Sequence, residues 1–307
     1  MRVFFSDPYE VPLPEGHRFP MGKYRLLRER LLSRGVLRAD ELQVAQPIER
    51  ALLERAHSVE YLDACFSGTW SEGEARRVGF PWSPALLKRS LASAGGTVAA
   101  ARHALSEGFA ANLAGGTHHA ARDFGSGYCV FNDLAVATLA LLSEGAVERV
   151  LIVDLDVHQG DGTASILAGE PRAFTFSMHG EKNFPFRKTR SSRDVGLRDG
   201  CGDEEYLALL DEHLPEVVEA VDPQLILYQA GVDPLAEDTL GRLSLSHAGL
   251  RARDRRVFEL AWSRAIPLAL TLGGGYAKPI DATLEAHVGT YEEAKAVFEV
   301  PRRRPSG

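Results

Sequence analysis

Short apolar runs alternate with longer runs that repeat on a helical period along nearly the whole chain. Residues 2–5, 150–155, 173–178, 225–229 and 267–272 are dense in large apolar side chains and predict strands, and 112–114 reads as a further short strand leading into a glycine turn. Between them the spacing predicts helices over 23–33, 47–56, 59–66, 133–142, 204–220, 247–263 and 279–297. In the first of these, Leu26, Leu27, Leu31 and Leu32 form an apolar stripe. Ser83-Pro84 opens a longer helix that runs to about residue 106, with proline at the first helical position. The Gly95-Gly96 pair is expected to weaken or bend it. Ser246 reads as the cap of the helix that follows. Strands separated by helices imply parallel pairing through right-handed crossovers. No linker rich in proline, glycine or serine and no internal repeat interrupts the pattern, so one α/β domain over 1–300 is expected. The stretch 301–307, with Arg302-Arg303-Arg304, reads as a flexible basic tail.

Ligands of such sheets gather beyond the carboxyl ends of the strands. Chemistry-bearing residues fall there four times. Asp154-Leu-Asp156-Val-His158-Gln-Gly-Asp161-Gly follows the apolar run at 150–153. Side chains at alternate strand positions share a face, so Asp154, Asp156 and His158 project toward one point if the extended conformation persists. Buried carboxylates need a partner or a metal. Asp156 and His158 supply one oxygen and one nitrogen, and Asp233 in Gly231-Val-Asp233-Pro234 is the choice for a third ligand, which leaves positions open as catalytic zinc requires. Gly231 permits close backbone approach there. The competing readings are a turn aspartate before Pro234 and a structural Asp156–His158 pair.

The adjacent His118 and His119, after Gly115-Gly116-Thr117, can face one cavity, each oriented by a carboxylate. Asp154 and Asp161 are the carboxylates available. Tyr276, after Gly273-Gly274-Gly275, can donate to a developing oxyanion; a packed tyrosine in a glycine-rich turn is the bland counterpart. No Gly-Lys-Ser/Thr follows any glycine cluster, so a P-loop is absent.

Composition narrows the classes. With 307 residues, 45% hydrophobic and 25% charged, the chain is ordinary for a folded α/β protein. A net charge of -7 disfavours a nucleic-acid surface. No apolar run approaches a membrane span, and the amino terminus lacks a signal peptide's apolar region, so a cytoplasmic protein is expected. Cys65, Cys129 and Cys201 are odd in number and widely separated, neither a disulfide framework nor a thiolate zinc cluster. For Cys129 a buried thiol outweighs a nucleophile.

At these residues the chain resembles the zinc-dependent histone deacetylase family of the arginase–deacetylase fold. The matching motifs are Gly115-Gly-Thr-His-His-Ala120, Gly127-Tyr-Cys-Val-Phe-Asn-Asp133, Asp154-Leu-Asp-Val-His-Gln-Gly-Asp-Gly162, Gly231-Val-Asp233 and Gly273-Gly-Gly-Tyr276, in the family's order. His57-Ser-Val-Glu-Tyr-Leu62 and Gly241-Arg-Leu-Ser-Leu-Ser246 are similar to flanking family segments. Gln159, the short chain and Gly202-Asp-Glu-Glu-Tyr-Leu207 lean toward the class IV and bacterial branch.

The resemblance implies a mainly parallel sheet of about eight strands with helices on both faces. It also implies roles residue by residue. Asp156, His158 and Asp233 match the ligands of one zinc ion, and His118 and His119 the histidine pair, backed by Asp154 and Asp161 respectively. Tyr276 matches the carbonyl-polarising tyrosine. Tyr128 and Phe184 match the aromatic walls of the acyl-lysine tunnel, with Gly127 at its floor and Gly274 also on the substrate side. Tyr128 stands where the family usually has phenylalanine, and the loop at 179–186 looks shorter than in many relatives. A structural potassium or sodium ion is implied at the main-chain carbonyls of Asp154, Asp156, His158 and Met178 and the Ser177 hydroxyl. The rim aspartate that grips the substrate backbone has no clear match: Asp63 lies too early, and Glu72 and Glu74 are the candidates.

The function expected is hydrolysis of an N-acyl amide, with His119 as general base, His118 as electrostatic partner and Tyr276 donating to the oxyanion. The substrate expected is an acylated lysine; acetylpolyamines and small acylated metabolites are the alternatives. A binuclear manganese ureohydrolase would need a second carboxylate set where His118, His119 and Tyr276 stand. A non-catalytic acyl-lysine-binding module would not need every catalytic group retained.

Overall fold

The computed structural model describes residues 1–299, so the tail at 301–307 lies outside the described residues. Eight strands form one wholly parallel sheet: β1 (Arg2–Phe5), β2 (Leu42–Val44), β3 (Phe109–Asn112), β4 (Val150–Asp154), β5 (Ala173–Gly180), β6 (Arg193–Leu197), β7 (Leu225–Gln229) and β8 (Leu268–Thr271). Their order is β2-β1-β3-β8-β7-β4-β5-β6. The helices are α1 (Lys23–Ser33), α2 (Arg50–Leu53), α3 (Val59–Ser67), α4 (Glu72–Val78), α5 (Pro84–Glu107), α6 (Asp133–Ser143), α7 (Asp161–Leu167), α8 (Asp203–Val221), α9 (His247–Ser263) and α10 (Asp281–Phe298).

Successive strand residues point to opposite faces, and here both faces are covered, so the strands read as continuous apolar runs. In β4, Leu151 and Val153 join the core beneath α1, α8, α9 and α10, while Val150 and Ile152 join the core beneath α3, α5 and α6. In β7 the same division puts Ile226 and Tyr228 on the first face and Leu225 and Leu227 on the second. The expected parallel sheet with helices on both faces is therefore present.

Several local expectations shift. The strand expected at 112–114 is β3, Phe109–Asn112, because Gly108 ends α5 in the left-handed region and the chain enters the sheet at once. The helix expected at 47–56 shrinks to the four residues of α2, because the chain before it lies extended on α5, with Ile48 N–H donating to Leu91 O at 3.0 Å. Gly95 does not break α5; a Cβ there would stand 2.0 Å from Gln46 O, so glycine admits that close crossing. In α1, Leu27 and Leu31 are buried but Leu26 is exposed, and Lys23 completes the buried face. The edge strands β2 and β6 and the short α4 were not expected. Polar residues and a glycine mask β6, whereas α4 carries a readable start signal, a Ser71/Glu74 capping box.

Candidate active site

The four loops expected to converge leave the carboxyl ends of β3, β8, β7 and β4, which are consecutive neighbours in the sheet. They surround a cavity of about 540 Å³ whose lining includes His118, His119, Asp156, His158, Asp233, Gly274 and Tyr276.

The strand conformation ends at Asp154, so the three alternating ionisable residues part company. Asp154 Oδ2 pairs with His118 Nδ1 at 2.7 Å. Asp156 and His158 instead meet Asp233, and these three buried residues offer ligand atoms within 4.8 Å of one another. Each carboxylate is held by a backbone amide through one oxygen: Gly274 N–H donates to Asp156 Oδ2 at 2.8 Å and Val157 N–H to Asp233 Oδ1 at 2.9 Å. The other oxygens, Asp156 Oδ1 and Asp233 Oδ2, lie 3.0 and 3.1 Å from His158 Nδ1. Two carboxylate oxygens and one imidazole nitrogen thus converge, with both carboxylates oriented by backbone amides, as metal sites require. Gly231 is needed here: a Cβ on it would stand 2.2 Å from Asp156 Oδ2. Burial and the charge of Asp156 push the Asp233 carboxyl up to about 7. Three donors crowded around one point, with a carboxylate reluctant to ionise unaided, fit a divalent cation.

His119 Nδ1 lies 2.7 Å from Asp161 Oδ1, at the first residue of α7. The two histidine rings are 4.1 Å apart at their centroids. Their electrostatics diverge. Burial opposes a charge on His118, but Asp154 and Asp156 overcome it and raise His118 to about 9. Burial and the neighbouring charge of His118 lower His119 to about 4, against the pull of Asp161. Without a bound ion, the first histidine is thus biased toward the charged form and the second toward the neutral one. Burial, with Asp233 and Asp156 nearby, pushes the Tyr276 phenol well above its usual range and keeps it a donor.

The loop bearing the histidines is fixed from α6. Asp133 accepts the N–H groups of Gly116 and Thr117 at 2.9 and 2.7 Å, and the Asn132 side chain donates to Ala120 O at 2.9 Å. Gly127, Tyr128 and Phe184 all line the cavity. Phe184 stands edge-on to His119 at 4.9 Å, and Tyr128 packs toward Phe19 at 5.0 Å and Tyr276 at 6.1 Å. Ser177 lies opposite Asp154 in the β4–β5 register, with Met178 next to it. Cys129 is buried, and burial raises its thiol well above the usual range, which fits an inert thiol. Among the described residues Asp156, His158 and Asp233 are the only such group, so a second metal set is not found.

Two contributors have no signal in the sequence. Lys23 is buried under the site, with Nζ donating to Gly273 O at 3.3 Å and Gly275 O at 3.4 Å, and burial lowers it to about 8. Arg253 on α9 donates through Nη1 to Gly231 O at 2.6 Å and Leu155 O at 3.2 Å, tying together the two loops that carry the convergent ligands. Of the rim candidates, Glu72 lies beside Arg76 and Glu74 caps α4, and neither is among the residues that line the cavity; Asp63, too early for the role, pairs with Arg50 at 2.7 Å.

Comparison with known proteins places the chain in a family. The family model "Histone deacetylase domain" matches residues 17–290. The chain is 45% identical over 296 residues to an uncharacterised protein of Picosynechococcus, covering 96% of this chain and 99% of that one. It is 30% identical over 290 residues to Histone deacetylase 2 of Arabidopsis thaliana, covering 90% of this chain and 74% of that protein. In structure it is similar to the HDA15 HD domain, with a TM-score of 0.80, 20% identity and coverage of 99% and 91% of the two chains. The chain belongs to the histone deacetylase family, with its arginase–deacetylase fold, and is a deacetylase-type hydrolase.

Proposed function

We propose that the chain is a zinc-dependent amidohydrolase that removes acetyl or longer acyl groups from the side-chain amine of lysine or a similar amine. The observation that carries this is the convergence of Asp156 Oδ1, His158 Nδ1 and Asp233 Oδ2 beside two histidine–carboxylate pairs at 2.7 Å. Asp156, His158 and Asp233 would hold the zinc, which would supply Lewis acidity to the hydrolysis.

The chain's own residues do the rest. His119, neutral and oriented by Asp161, is the proton acceptor at Nε2 and returns the proton to the departing amine. His118, its pKa raised beside Asp154, supplies positive potential and, when protonated, has no free nitrogen lone pair with which to accept a proton. Tyr276 donates its hydroxyl proton to the oxyanion of the tetrahedral intermediate. Tyr128 and Phe184 flank the acyl-bearing arm, with Gly127 and Gly274 leaving it room. A structural potassium or sodium ion belongs at the carbonyls of Asp154, Asp156, His158 and Met178 with the Ser177 hydroxyl, beside the β4–β5 ladder. Three unpaired, buried cysteines suit a reducing cytoplasm as the place of action.

A fluorogenic acyl-lysine panel of increasing chain length, run with and without chelator, tests the reading. Chelator-sensitive hydrolysis of at least one member is expected. Hydrolysis that ignores the chelator, or none by zinc-loaded protein, would overturn it.

A further inference from the structure

Resting on the deacylase reading, we infer that the mouth of the cavity selects an acyl-lysine flanked by acidic residues. The walls carry Arg76 and Arg77 from the last turn of α4, Lys182 from the β5–β6 connection and Arg242 ahead of α9. Among the described residues the only carboxylates in the lining are Asp156 and Asp233, which belong to the ligand set. The chain as a whole has a net charge of -7, so this face runs against the sign of the molecule.

The four cations are poorly compensated. Arg76 faces Glu72 at 3.1 Å, both largely exposed, where such a pair is weak and readily exchanged. Arg242 and Lys182 share one carboxylate, Asp199, at 3.4 and 4.0 Å. Arg77 has no carboxylate within 4.0 Å among the described residues, and its guanidinium lies over Phe124 at 4.9 Å. Glu74 on α4 offsets Arg77 only at longer range, so the four cations outnumber the carboxylates paired with them and are distributed over three segments rather than focused on one point. That distribution suits acidic residues on both sides of a lysine more than a single small anion. Phe186, 83% exposed, and Leu240 add apolar surface to the same mouth for the peptide's neutral parts. A lysine- or arginine-rich segment would meet repulsion before its acyl arm entered. Such fields act on encounter and fade with salt.

The test compares acetyl-lysine peptides of equal length with acidic, neutral or basic flanks on zinc-loaded protein, at about 20 and about 300 mM salt, where the screening length changes severalfold. A neutral fluorogenic acetyl-lysine reports the basic activity, and anisotropy of labelled peptides reports binding. Acidic flanks should be favoured over basic ones by about tenfold or more in kcat/KM and in affinity at low salt, shrinking at high salt. Arg77→Glu with Arg242→Glu should abolish the preference and leave the neutral reporter unchanged. Equal or better use of basic flanks, with the reporter hydrolysed, overturns this inference alone. If neither the reporter nor any longer acyl-lysine of the panel is hydrolysed, the deacylase reading fails, and the anisotropy ratio still decides the preference: acidic peptides binding no tighter than basic ones overturns it.

Discussion

Removing the hydroxyl of Tyr276 while keeping its ring isolates one hydrogen bond. Tyr276→Phe should cost about a hundredfold or more in turnover, the loss seen when a single oxyanion donor is deleted, with metal content by elemental analysis unchanged; near-normal turnover contradicts the donor role. His119→Ala should also lose about a hundredfold or more, measured in the same assay, because its neighbour His118 is biased toward the charged form by Asp154. Full activity would remove His119 from the mechanism. At this scale the sequence was legible where side chains and spacing announce themselves, as with the histidine pair, the Asp-x-Asp-x-His run and Tyr276. It was not legible for Lys23, whose contacts lie 250 residues onward at Gly273 and Gly275, or for Arg253, whose partners sit on two other loops. A charged residue in an amphipathic helix looks solvated until the fold shows what lies over it. The basic mouth was hidden for the same reason: Arg76, Arg77, Lys182 and Arg242 come from three separate segments.

Among the elements, the long apolar strands and capped helices were readable because both propensity and burial agree on them. Edge strands β2 and β6 were not, since a strand with one partner and a wet face needs little apolar sequence. Helix α9 does more than cover the sheet. Through Arg253 it fixes the carbonyls of Leu155 and Gly231, one in each ligand-bearing loop. The guanidinium is itself anchored by Asp254, which also takes hydrogen bonds from Tyr228 at 2.5 Å and Thr290 at 2.6 Å. Arg253→Met should therefore weaken metal affinity by about 10–100-fold, the usual cost of losing a group that orients ligands, read by chelator competition, with Arg253→Lys recovering part of it. Unchanged affinity in the folded Met variant would reduce Arg253 to a core residue.

The molecule as a whole should be acid-sensitive. His57 is buried with Nδ1 2.9 Å from Ala121 O and Nε2 accepting the Asn132 N–H at 2.9 Å, an arrangement that fits only the neutral ring. Burial lowers His57 and His179 each to about 4. Between about pH 6.5, where the unfolded chain's histidines titrate, and 4, the unfolded state binds protons that the folded state refuses. Stability therefore falls as pH falls through that window, by up to about 1.4 kcal/mol per pH unit for each such histidine. His118, raised to about 9 by Asp154 and Asp156 against its burial, is protonated in both states there; Asp233, pushed up to about 7, takes up a proton in the folded state over the same window and offsets one such histidine, while His119, lowered to about 4, and His287, lowered well below its usual value by burial, keep the net change a fall. Urea unfolding of metal-stripped protein at pH 7, 6 and 5 checks this; a flat profile contradicts it.

The account stands or falls on one mononuclear metal centre at Asp156, His158 and Asp233. Stepwise addition of zinc to metal-stripped protein, following acyl-lysine hydrolysis and bound metal together, addresses it directly. Activity should rise linearly and level off at one zinc per chain, with Asp233→Ala neither binding the ion tightly nor gaining activity. Full activity without metal, or a requirement for two ions per chain, would contradict it.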